Sequence, residues 1–143
     1  MPDHTPRGKI TGAAICFLCF ALVNPVFPAW SQDVDCANAI AQVEMTYCAE
    51  RDWQRADVEL NDAYRAASAK MDDIDAELHD DPLGAKKALK LAQRAWITYR
   101  DAACVADGFQ MRGGTGEQMV VMGCMARLTE ERTAHLWALS ENY

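Results

Sequence analysis

The sequence is poor in the residues that make turns and disordered segments. It has 8 glycines and 5 prolines among 143 residues, whereas 50% of its residues are hydrophobic. A chain of this size and composition suits one compact domain. It excludes collagen-like, low-complexity and disordered proteins.

Positive charge is also in short supply. The chain has 14 Lys and Arg against 21 Asp and Glu, which gives a formal net charge of −7. Nucleic acids and anionic membrane surfaces attract proteins with an excess of Lys and Arg, so we expect neither as a partner. A cationic partner is the natural electrostatic complement.

The signatures of common catalytic and metal sites are missing. No serine lies in a Gly-x-Ser-x-Gly segment, and the glycine-rich stretch at 113–116 lacks the lysine of a phosphate-binding loop. The four cysteines after residue 31 lack the spacing of a zinc site, and neither His79 nor His135 has a second histidine at helical spacing. We therefore predict no catalytic residues, no cofactor, no metal and no enzymatic activity.

Residues 1–31 differ from the rest of the chain. Arg7 and Lys9 precede an apolar stretch over 10–27, and Ala29 and Ser31 supply small residues at the −3 and −1 positions of a cleavage site. This pattern predicts a secretory signal peptide over 1–31 and a mature domain over 32–143. Removal of the signal would make the protein still more acidic.

An uncleaved membrane anchor is the alternative for this segment. Asn24 and Pro25 interrupt it, whereas a span across a bilayer needs about 20 consecutive apolar residues. We therefore expect a periplasmic or secreted protein that is free of the membrane after signal cleavage.

Four cysteines remain in the predicted mature chain: Cys36, Cys48, Cys104 and Cys124. An even number in an oxidising compartment predicts two disulfides, with three possible connectivities. Twelve residues of one helix would separate Cys36 from Cys48 by ~18 Å, whereas a disulfide needs Cα atoms ~5.5 Å apart. We favour the pairs 36–48 and 104–124, and the first pair then requires a non-helical segment at 36–40 that doubles back.

Hydrophobic periodicity predicts helices along the mature chain. One helix starts near residue 41 and is ended by the acidic run 72–75 and then by the segment 79–82, and a second extends from Pro82 to about Ala106. Thr115 and Gln118 have the spacing of a capping box, which predicts a third helix to about Leu139. The fold is predicted to be all-α, a small antiparallel bundle of about three helices stapled by two disulfides. The residues predicted to lie in its seams are Trp53, Leu60, Trp96, Tyr99, Val121, Leu128 and Leu136.

Polar residues lie beside the apolar stripes of the first two helices: Asp57, Asn61, Arg100 and Asp101. We predict that they form a structural polar network, in which Asp57 and Arg100 make an ion pair between helices. An acid–base pair for catalysis is the alternative, but no nucleophile or cofactor accompanies it.

The order and spacing of these residues resemble the LprI-like family of secreted lysozyme inhibitors. The resemblance extends from Cys36 to Leu136. Its segments are Asp35-Cys36-Ala37-Asn38-Ala39, Glu44-Met45, Cys48, Ala56-Asp57, Leu60-Asn61, Tyr64, Ala92-Gln93-Arg94-Ala95-Trp96, Tyr99-Arg100-Asp101, Cys104, Gly113-Gly114-Thr115, Cys124, Leu128-Thr129, Arg132 and Leu136.

The resemblance implies binding to lysozyme, or to another cationic peptidoglycan hydrolase, and protection of peptidoglycan. An acidic protein would be steered to a basic lysozyme and could block its cleft with a loop. The loop between the second and third helices is the candidate partner-binding element, and a plain helix connection is the alternative interpretation. Its residues are Phe109, Gln110, Met111, Arg112, Gly113, Gly114 and Thr115. The competing function is that of a non-catalytic envelope scaffold that binds another periplasmic protein.

Overall fold

The computed structural model describes residues 33–78 and 82–141. Helix α1 spans Gln42–Glu77, α2 spans Ala85–Gly108 and α3 spans Glu117–Glu141, with a short 3-10 turn at Phe109–Met111. These elements form an antiparallel bundle, and the described residues contain no strand. The all-α prediction is confirmed, whereas the predicted signal peptide lies outside the described residues. Across the described ranges, no helix is long and apolar enough to cross a membrane.

The core lies chiefly between α1 and α3, which make the most extensive contact in the bundle. Ala63 and Ala67 on α1 are fully buried and pack with Leu60, Leu89 and Leu136 in one cluster. Small side chains on the contact face of α1 allow the neighbouring helix to approach closely. Helix α2 packs less extensively on this pair.

The segment before α1 doubles back as predicted. A disulfide joins Cys36 to Cys48, with Cα atoms 5.6 Å apart. The carboxylate of Asp35 accepts hydrogen bonds from the side-chain amide of Asn38 at 2.7 Å and from the backbone N–H of Ala37 at 3.1 Å. These bonds lower the pKa of Asp35 and hold the turn that precedes the helix.

Helix α2 begins at Ala85, three residues later than Pro82, because its first turn is capped from α1. The Asp75 carboxylate accepts hydrogen bonds from the backbone N–H groups of Ala85 and Lys86. Carboxylates at a helix N-terminus satisfy free N–H groups and interact favourably with the helix dipole. Asp75, in the last turn of α1, therefore caps the first turn of α2.

The buried face of α2 differs from the predicted one. Tyr99 is 61% exposed, whereas its neighbour Arg100 is only 6% exposed. Successive residues of a helix are about 100° apart, so burial of the Arg100 side turns Tyr99 towards solvent. The prediction that Tyr99 lies in a seam is wrong. Of the other seam residues, Leu60 and Leu136 are buried and the remaining four are half-buried: Trp53, Trp96, Val121 and Leu128.

Candidate partner-binding site

The loop between α2 and α3 has both of its ends held in place. The disulfide Cys104–Cys124, the second of the favoured pairs, links α2 to α3. The Cα atoms of the two cysteines are 5.4 Å apart. At the last residue of α2, a Cβ on Gly108 would lie 2.6 Å from Cγ2 of Val121. Only glycine permits this approach without a shift. The covalent link and the close packing together give the loop a fixed base.

All seven residues predicted to bind a partner lie in this loop and are exposed. Phe109 is 59% exposed and Met111 is 45% exposed. This exposure is notable because burial of apolar side chains of this size normally stabilises a folded protein. The guanidinium of Arg112 lies over the Phe109 ring, 4.7 Å from its centroid. The loop therefore exposes an aromatic ring with a cation stacked on it, and a thioether side chain.

Glu117, the first residue of α3, holds the tip of the loop. Its carboxylate accepts hydrogen bonds from Nη1 of Arg112 at 2.7 Å and from the backbone N–H of Gly113 at 2.9 Å. Gly113 has a φ of 76°, a conformation that favours glycine. The hydrogen bond from Gly113, followed by the bond and the charge of Arg112, holds the pKa of Glu117 below its usual value.

Glu117 is not among the site residues predicted from the sequence. The capping-box pattern of Thr115 and Gln118 predicts a helix that starts at Gly116, but α3 starts one residue later. A signal for the actual arrangement was present in the spacing of Arg112 and Glu117, which have opposite charges across the glycine pair. Glycine allows the sharp backbone turn that lets two such groups meet.

The four residues predicted as a polar network lie together between α1 and α2. The guanidinium of Arg100 is 2.9 Å from a carboxylate oxygen of Asp101 and 3.5 Å from one of Asp57. The side-chain amide of Asn61 donates to the backbone carbonyl of Asp57 at 2.7 Å. The predicted ion pair between Asp57 and Arg100 is thus present, and its carboxylates reach solvent on one side.

Aromatic rings and a hydroxyl complete the surroundings of Arg100. Its guanidinium carbon lies 5.7 Å from the ring centroid of Trp53 on α1 and 5.2 Å from that of Trp96 on α2. Its Nη1 also donates to the Thr129 hydroxyl of α3 at 3.4 Å. A cation between two indole rings is stabilised by their π faces. Arg100 therefore contacts residues of all three helices.

Comparison with known proteins decides the family. The family model described as "Lysozyme inhibitor LprI" matches residues 35–136. The chain belongs to the LprI lysozyme inhibitor family. A protein of Rhizobium meliloti (strain 1021), named as uncharacterised, is 42% identical over 139 residues, covering 95% of this chain and 97% of the relative. No solved structure matches the chain.

The LprI match extends over the parts of the molecule described above. It begins at the Asp35 turn, contains both disulfides, the Arg100 network and the loop at 109–115, and ends at the buried Leu136. The family is described as one of lysozyme inhibitors. Within residues 33–78 and 82–141, no cluster of His, Cys, Asp or Glu could hold a metal ion.

Proposed function

We propose that this LprI-family protein is a periplasmic or secreted lysozyme inhibitor that binds lysozyme through the loop at 109–115 and so blocks peptidoglycan hydrolysis. The observation that carries this proposal is the exposure of Phe109 and Met111 on a loop whose base is closed by a disulfide. Interfaces depend on a few apolar or arginine side chains that become fully desolvated at the centre of the contact.

Charge supports lysozyme as the partner. The chain carries a net charge of −7, and lysozymes of the animal type are strongly basic, so long-range attraction would speed their encounter. The lysozyme cleft carries two catalytic carboxylates. Arg112, which projects from the acidic protein with 61% of its side chain exposed, offers a cation to such a cleft.

The ordered state of the loop supports tight binding. Glu117 fixes both the Arg112 side chain and the Gly113 backbone before any partner arrives. A loop that is already held in one conformation loses less entropy on association, which leaves more of the contact energy as affinity.

Titration of the protein against a basic animal-type lysozyme tests the proposal. Protein produced from the full chain is added to a cell-wall lysis assay, and binding is measured in parallel by calorimetry. We expect saturable inhibition. Binding should persist, although weakened, at ~0.15 M salt, where exposed charges are screened over ~8 Å. Absence of both binding and inhibition would reject the proposal and favour another envelope protein as the partner.

Two arginine variants test whether the loop at 109–115 contacts lysozyme. Arg112→Ala should weaken lysozyme binding by about tenfold or more, as truncation of a central interface residue does. Arg127→Ala is the matched control, because Arg127 has a similar exposure of 57% and also pairs with a glutamate, Glu131, at 3.0 Å. Equal affinity losses in the two variants would indicate a general charge effect and reject the loop as the binding element.

A further inference from the structure

The side of α2 that faces away from Arg100 is apolar and exposed. We call it the outer face of α2 and define it as Leu91, Ala95, Thr98, Ala102 and Val105. Leu91 is 52% exposed and Val105 is 48% exposed, and the three residues between them are also exposed. Helix α2 uses its opposite side to contact α1 and α3, so nothing in the described residues covers the outer face.

The spacing of these residues is that of a helix packed along another helix. They recur at alternating intervals of four and three, which is the a/d repeat of a coiled coil. Thr98 fits the pattern because its hydroxyl donates to the backbone carbonyl of Arg94 at 3.2 Å, leaving the methyl group for contact. A surface helix that only faces water does not need a repeat of this kind.

The charges beside the outer face are divided along the helix. Lys87 and Arg94 flank its N-terminal half, whereas Asp101 flanks its C-terminal half. Two such helices side by side in parallel would place like charges together. In an antiparallel pair the basic half of each helix faces the acidic half of the other, which is the arrangement of a twofold dimer.

We propose that the outer face of α2 binds the same face of a second copy of this chain, in an antiparallel helix pair about a twofold axis. The coiled-coil repeat places Arg94 opposite Asp101 of the second copy, and the symmetry makes this pair twice. In the same register Leu91 lies opposite Ala102 of the second copy, so a large side chain meets a small one.

The structure leaves Asp101 available for this contact. Its side chain is 48% exposed although it pairs with Arg100 of its own chain. A carboxylate has four lone-pair sites and can accept from two guanidinium groups. The inference is independent of lysozyme binding, since it uses none of the residues assigned to that contact.

Sedimentation velocity over a concentration series tests self-association. The protein is expressed from the full-length sequence, and mass spectrometry shows whether the purified protein still contains residues 1–31. We expect a dimer whose dissociation constant rises at least tenfold in Ala102→Glu, because the larger charged side chain keeps the helices apart. The matched control is Ala69→Glu, an exposed alanine of α1, which should leave the dissociation constant unchanged.

Charge reversal tests the antiparallel register. Arg94→Glu and Asp101→Lys should each weaken the homodimer at least tenfold, and a mixture of the two variants should form a heterodimer. Circular dichroism checks the Asp101→Lys fold, and where that variant is unfolded, Arg94→Glu and Ala102→Glu decide the test.

Three results would overturn the proposal. One is a monomer at every concentration up to about 0.1 mM, well above the micromolar range of weak dimers. Another is a dimer that Ala102→Glu does not affect. The third is a monomer in which Ala102→Glu abolishes lysozyme binding, which would assign the outer face to lysozyme instead of to a second copy.

Discussion

Replacement of Arg100 by alanine should destabilise the bundle by about 3–5 kcal/mol. The substitution removes a buried side-chain stem, worth about 1–2 kcal/mol of packing. It also removes two contacts with indole rings, worth about 0.5–1 kcal/mol each, and one hydrogen bond to Thr129, worth about 1 kcal/mol. The partners Asp57 and Asp101 have side chains 44% and 48% exposed, so water can solvate them once Arg100 is gone.

Urea unfolding followed by circular dichroism measures this loss. Arg65→Ala is the control, because its side chain is 74% exposed and its pair with Asp62 lies on the surface of one helix. Such pairs contribute less than about 1 kcal/mol. Arg100→Lys should fall between the two variants, since an ammonium keeps the charge but not the planar stacking surface.

Two results would refute this reasoning about Arg100. A loss in Arg100→Ala no larger than that in Arg65→Ala would mean that the burial and the indole contacts add no net stability. Wild-type stability in Arg100→Lys would mean that the planar group is irrelevant and that charge accounts for the whole effect.

Three further predictions concern the base and the tip of the loop. Replacement of Cys104 and Cys124 by serine should lower the free energy of unfolding by about 3 kcal/mol in urea titrations, and an unchanged value would contradict the chain-entropy account. Gly108→Ala should cost about 1–3 kcal/mol through its clash with Val121, and a second change, Val121→Ala, should recover part of it. An NMR titration of the Gly113 amide should have a midpoint below pH 4.5, the usual pKa of a glutamate, because the pKa of Glu117 is lowered. The hydrogen bonds from Arg112 and Gly113 to Glu117 are then kept until the pH falls through that lowered pKa. A midpoint at or above 4.5 would refute this prediction.

The helices and disulfides were predictable because local signals determine them. The distance argument for Cys36 and Cys48 needs only the rise of a helix, and the structure pairs these residues. The start of α2 was harder to predict because its cap, Asp75, comes from a different helix ten residues earlier. Capping rules consider residues next to the helix start and therefore favoured Pro82.

The orientation of α2 could not be derived from hydrophobic periodicity. Its sequence carries apolar residues on two sides, one with Leu89 and Trp96 and the other with Leu91 and Val105. Periodicity identifies amphipathic faces but does not rank two of them. The structure turns the side with Arg100 and Cys104 inward, because the disulfide and the indole rings lie there.

Lysozyme binding and self-association should differ in their dependence on salt. The net charge of −7 favours the first, whereas the second uses the apolar outer face of α2. Attraction between this acidic chain and a basic lysozyme weakens as salt rises, because screening reduces a favourable long-range force. Two copies of this chain repel each other at long range, and salt screens that repulsion while it also weakens the short-range pairs of Arg94 with Asp101. The two salt effects on the dimer oppose each other. We therefore expect a steep salt dependence for lysozyme binding and a shallow one for self-association, and equally steep dependences would contradict the assignment of different surfaces and forces to the two events.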